Sequence, residues 1–78
     1  MQEYLLAVGS ALRNMREHAG LSQEELAQLA GLHRTYVGGV ERGERNITIG
    51  SLKKLTDILE VSPSQVLASA ERSMNSSS

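Results

Sequence analysis

Through residue 43, each stretch of helical periodicity in this chain is closed by a glycine. Gly20, Gly31 and Gly43 each follow a stretch with apolar residues at helical spacing, where a glycine in the left-handed conformation closes a helix. The segments between them span two to three turns, too short to persist without tertiary packing. The chain is therefore confined to several short helices that must pack on one another.

The helix starts are marked as clearly as the stops. A first helix carries Leu5, Val8, Leu12 and Met15 on one stripe, with Arg13, Asn14, Arg16 and Glu17 off it. Ser22-Gln23-Glu24-Glu25 forms an S-x-x-E capping box, and Leu21 before it is placed to staple onto Leu26. That second helix runs through Leu26, Ala27, Leu29 and Ala30 to Gly31. The next segment, His33 to Arg42, has an apolar line through Leu32, Tyr36 or Val37, and Val40. It also contains Gly38-Gly39, each worth roughly 1 kcal/mol against a helix relative to alanine. Thr48 is positioned as N-cap of a fourth helix bearing Ile49, Leu52, Leu55, Ile58 and Leu59. Ser62-Pro63-Ser64-Gln65 starts a fifth, with proline at its first position and Val66, Leu67 and Ala70 on its apolar face. Residues 1–72 read as a single all-α domain, a compact five-helix bundle, and the serine-rich residues 73–78 as a disordered tail.

Composition removes several classes of function. With no cysteine in 78 residues, disulfides, thiolate zinc sites and thiol nucleophiles are excluded. Only His18 and His33 remain as soft ligands, neither at metal-ligand spacing from a carboxylate, so no metal or other cofactor is expected. His18 sits beside Gly20 near a helix C-terminus, where positive charge is favoured, and is assigned no function. Glu24 and Glu25 point to different helix faces and make no acid–base dyad, and Gly38-Gly39 follows no strand, so it is no nucleotide fingerprint. The expectation is a protein that is not an enzyme. No apolar run approaches the roughly 18 residues of a membrane span, and the first residues lack signal-peptide character; no membrane partner and a cytoplasmic location follow by default. A domain this small is marginal alone, which points to a homodimer. The excess apolar surface of Leu52, Leu55 and Leu59 with Val66 and Leu67 is the expected dimer contact.

Charge adds a modest asymmetry to an overall −1. Residues 1–32 set Arg13 and Arg16 against Glu3, Glu17, Glu24 and Glu25, a net of −2, whereas residues 33–45 set Arg34, Arg42 and Arg45 against Glu41 and Glu44, a net of +1. The informative feature is the spacing from Ser22 to Arg42: a two-turn helix, a glycine turn and a second short helix. That is the dimension of a helix-turn-helix, whose second helix, about 10–12 Å across, fits a major groove about 12 Å wide.

Within that frame, SQEELAQLAGLHRTYVGGVERGERNITIGSLKKLTDILEVS resembles the Cro/repressor-type (XRE) helix-turn-helix domain over roughly residues 9–67. The run RTYVGGVERGERN with its downstream leucine is especially similar to the controller proteins of restriction–modification systems. The resemblance implies a lambda-repressor-like fold and a sequence-specific transcriptional regulator that binds near-palindromic double-stranded DNA as a homodimer. Binding near its own promoter would then both activate and repress transcription, with RNA polymerase a further partner. Residue by residue, it implies that Gln23 bonds a phosphate, that Arg34 and Thr35 meet base edges, and that Tyr36 lies against backbone or sugar. Arg42, Arg45 and Asn46 would hold flanking phosphates, and Arg16 would pair with Glu41 to fix geometry. Two positions depart from the family. His33 stands where serine or aspartate usually caps the helix; its imidazole is a weaker cap, which either approaches a phosphate or is simply a surface residue. Gly38 and Gly39 are bare where many relatives place a second base-reading side chain. Either DNA shape carries more of the specificity, or the helix backbone approaches the DNA closely.

The competing readings are bland. Arg34-Thr35-Tyr36 would be a solvated face, and Arg42, Arg45 and Asn46 a polar turn. The alternative function is a protein-interaction module such as an antitoxin, with DNA binding secondary, which the negative net charge permits.

Overall fold

Four of the five helices end in one backbone arrangement. The computed structural model describes residues 1–76 and places α1 at Gln2–His18, α2 at Gln23–Ala30, α3 at Arg34–Glu41, α4 at Ile49–Leu59 and α5 at Pro63–Ser76. No strand occurs among the described residues, so the all-α expectation holds. After α1, Gly20 N–H donates to the Glu17 carbonyl and Leu21 N–H to that of Arg16. The same pair of bonds follows α2 (Gly31 to Gln28, Leu32 to Ala27) and α3 (Gly43 to Val40, Glu44 to Gly39). These are Schellman closures, and they require a left-handed residue that glycine supplies without penalty: φ is 76° at Gly20, 71° at Gly31 and 74° at Gly43. After α4 the closure repeats with Glu60 at φ 60°. A side chain there costs roughly 1–2 kcal/mol, offset as Val61, the next residue, packs against the core.

The helix starts follow the chain's signals. Ser22 Oγ accepts from Glu25 N–H at 3.0 Å while Glu25 Oε1 accepts from Ser22 N–H at 2.8 Å, the reciprocal capping box. Those bonds from Ser22 hold the Glu25 carboxyl below the ordinary glutamate range. Thr48 Oγ1 accepts from Ser51 N–H at 3.1 Å, and Ser62 with Gln65 forms a second reciprocal pair.

Long-range packing centres on α1, which lies against both α5 and α3, while α2 packs on α3 and α4. Leu12, Leu26, Val37, Val40, Leu55 and Val66 fill the interior. Gly9 is where α1 crosses α3: a methyl group there would meet the carbonyl oxygens of Val40 and Glu41, 2.6 Å from the latter. Only glycine permits that approach.

Two expectations are corrected. Leu52, Leu55, Leu59 and Val66, expected at a dimer contact, are at most 8% exposed and belong to the core of the single chain. Their stripes are consumed in packing α4 and α5 onto the other helices, and only Leu67 keeps partial exposure. The boundary after residue 72 falls inside a helix. Met74, four residues past the buried Ala70, extends the apolar stripe of α5, and Tyr4 donates to Glu71 Oε2 at 2.7 Å across to α1. Residues 73–76 are accordingly helical, and positions 77 and 78 of the expected tail lie outside the described residues.

Candidate nucleic-acid interface

The two glycines of α3 do not break it, because the helix is held from behind. Val37 and Val40 are buried, and Glu41 at its end receives three side-chain hydrogen bonds. Arg16 of α1 donates from Nε to Glu41 Oε2 at 2.7 Å and from Nη2 to Oε1 at 3.0 Å. Its Nη1 donates to the Leu21 carbonyl at 2.8 Å, so the same guanidinium also fastens the turn before α2. Gln23 Nε2 donates to Glu41 Oε1 at 3.0 Å. The Arg16–Glu41 pair that the family resemblance implies is present, and Glu41 holds the Arg16 guanidinium still more firmly protonated than usual. A bidentate pair of this kind is strong in geometry rather than in net stability.

The front of α3 is polar and open. Arg34 and Thr35 are exposed on its first turn, and His33 stands exposed at the N-cap position, where its ring makes no capping bond. A recess of about 200 Å³ lies between α2 and α3, lined by Gln23, Arg34, Thr35, Gly38 and Arg42. Arg45 and Asn46 follow on the exposed turn beyond α3. The stem of Arg45 covers Gly39: a methyl group there would sit 2.8 Å from Arg45 Cγ.

Two side chains also make contacts within the fold. Gln23 gives one of its two amide N–H groups to Glu41, and its carbonyl Oε1 lies toward Gly38 in the recess. Gln23 thereby ties α2 to α3 and keeps a second amide N–H. Tyr36 is half-buried against the core, and its hydroxyl accepts from Thr48 N–H at 3.4 Å, linking α3 to the start of α4. The phenol hydrogen remains free to donate outward. Arg42 in turn covers Gly38, its i−4 neighbour, a relation the chain already carries where this segment is read as a helix.

Among the described residues no group of three or more His, Cys, Asp or Glu side chains is placed to hold a metal ion, and no helix is long and apolar enough to cross a membrane. A capped two-turn helix, a left-handed glycine turn and a helix with a buried back and a basic, open front define a DNA-binding helix-turn-helix regulator rather than an enzyme. The chain belongs to the Helix-turn-helix (HTH_3) family, which it matches over residues 12–66. It is 48% identical over 56 residues to control protein C.SmaI of Serratia marcescens, covering 72% of this chain and 67% of that one. Control protein C.BamHI of Bacillus amyloliquefaciens is 38% identical over 63 residues, covering 80% and 78%. Among solved structures, the restriction–modification controller protein C.AhdI of Aeromonas hydrophila superposes with a TM-score of 0.78 at 48% identity, over 80% of this chain and 94% of that one.

Proposed function

We propose that this chain is the controller of a restriction–modification system, binding a near-palindromic operator as a homodimer through the open front of α3. The observation that carries the reading is the contrast between the two sides of that helix. Its back is tied to Glu41, Arg16 and Gln23, while Arg34 and Thr35 project from its front without a partner in the core. The similarity to proteins described as control proteins of such systems supports the assignment of pathway. In this reading Arg34 and Thr35 meet base edges, Arg45 and Asn46 hold phosphates, and Tyr36 and His33 flank the groove. Two copies would present their α3 helices about 34 Å apart. Leu6, Leu29 and Ile49, the last 84% exposed, remain outside the core and are available to a second copy. Activation would add a contact with RNA polymerase.

Selection from a random duplex pool, followed by titration at several salt concentrations, tests this. Arg34→Ala should abolish preference at one base position, whereas Arg45→Ala should weaken all sequences alike and lower the salt slope by about one unit. Sedimentation should show the free protein dimerising and two copies on each selected duplex. A protein that binds random DNA without salt dependence, or not at all, would leave the interaction-module reading in its place.

A further inference from the structure

Arg42 lies over Gly38 as Arg45 lies over Gly39, and it does so with the end of its side chain. Long side chains on a helix lean back toward its N-terminus, over the residue four positions earlier. For Arg42 that residue is Gly38, and the guanidinium occupies the space a side chain would have taken. A methyl group on Gly38 would sit 3.0 Å from Arg42 Nη1 and 3.4 Å from Gln23 Oε1. The head group therefore lies on the line of positions 34, 38 and 42 that forms the front of α3, in the same recess as Arg34 and Thr35. Its Nε donates to Glu44 Oε1 at 3.1 Å, which orients the plane and leaves the Nη1–Nη2 edge uncommitted among the contacts it makes. We propose that Arg42 is a specificity-determining residue that reads a guanine in the major groove, with Gly38 serving as the seat that brings its guanidinium forward.

This inference rests on the operator-binding reading and reassigns Arg42 within it, from phosphate to base. Two features favour the base. A phosphate at this head group would approach the Glu44 carboxylate already paired with it, like charge against like charge, whereas guanine O6 and N7 are neutral acceptors matched to a planar fork. The position also suits it: folded back over Gly38, the head lies level with the middle of α3, in the recess that Arg34 and Thr35 also line. The bare glycine pair is then not a loss of readout. A side chain rooted one turn later supplies it.

The test compares wild type, Arg42→Ala and Gly38→Ala by selection from one random duplex pool and by salt titration of each on the wild-type site. Arg42 is largely exposed, and the atoms facing Gly38 are flexible side-chain ends, so both variants should keep the helical circular dichroism of the wild type. Arg42→Ala should lose about tenfold or more of the preference for G·C at one position per half-site, with the salt slope unchanged. Gly38→Ala, which retains every charge, should lose preference at that same position by displacing the guanidinium. Uniform weakening by Arg42→Ala, a slope lower by about one unit and an unaltered selected sequence would assign Arg42 to phosphate and overturn the inference. An unchanged profile for Gly38→Ala would overturn the role of the glycine as a seat. If the wild type itself selects no sequence, the operator-binding reading fails in its own arm, separately from the variants.

Discussion

Arg16 and Glu41 meet across 25 positions of chain, and nearly everything that aims α3 passes through their contact. The guanidinium spends one edge on the carboxylate and its remaining nitrogen on the Leu21 carbonyl, while Gln23 completes the carboxylate from the other side. Truncating one member leaves a buried charge without its counterion, so Arg16→Ala should cost about 3 kcal/mol in urea denaturation. The double variant Arg16→Ala/Glu41→Ala should be less destabilised than the sum of the two single changes, which a double-mutant cycle reads directly. This pair was legible before any coordinates, because family resemblance named both residues. The destination of Gln23 was not: a glutamine at a helix start can turn its amide either way, and only the acceptor waiting on Glu41 decides it.

At the level of elements, most starts and most stops were legible, the stops after α1, α2 and α3 through their glycines. Serine or threonine caps before α2, α4 and α5 all form as their spacing suggests, because a capping bond needs only residues three positions apart. The α2 cap is also sensitive to pH. Glu25 has its pKa lowered by Ser22, so its contribution is present above the unfolded glutamate value of about 4.3 and is lost as pH falls through the lower folded value. Stability measured from pH 7 down to pH 2 should therefore fall more steeply on the acid side in the wild type than in Glu25→Gln. Equal acid limbs would show the box to be without thermodynamic effect. The end of α4 could not be foreseen, since glutamate has no preference for the left-handed region, and Glu60 is carried there by the anchoring of Val61. Nor could the length of α5, whose last turns look like solvent-facing sequence until Met74 is found against the core.

For the molecule as a whole, the fold class was legible because apolar stripes at helical spacing leave few ways to bury them. The use of those stripes was not. Leucines on α4 that look surplus to a small domain are needed to enclose it, and large apolar side chains are left exposed instead at Ile49, Leu29 and Leu6. Gly9 carries no signal in the chain beyond lowering helix propensity, yet it sets how near α1 comes to α3. Gly9→Ala would gain propensity and still lose stability, because the obstruction is backbone carbonyl and not a movable side chain. It should cost about 3 kcal/mol and lower Tm by more than about 10 °C, a shift that calorimetry would resolve. The tie from Arg16 to Glu41 has a last implication for anyone wishing to transplant this reader. The stretch from Ser22 to Arg42 is not a portable cassette: grafted elsewhere without the helix that precedes it, it would keep its letters and lose its aim.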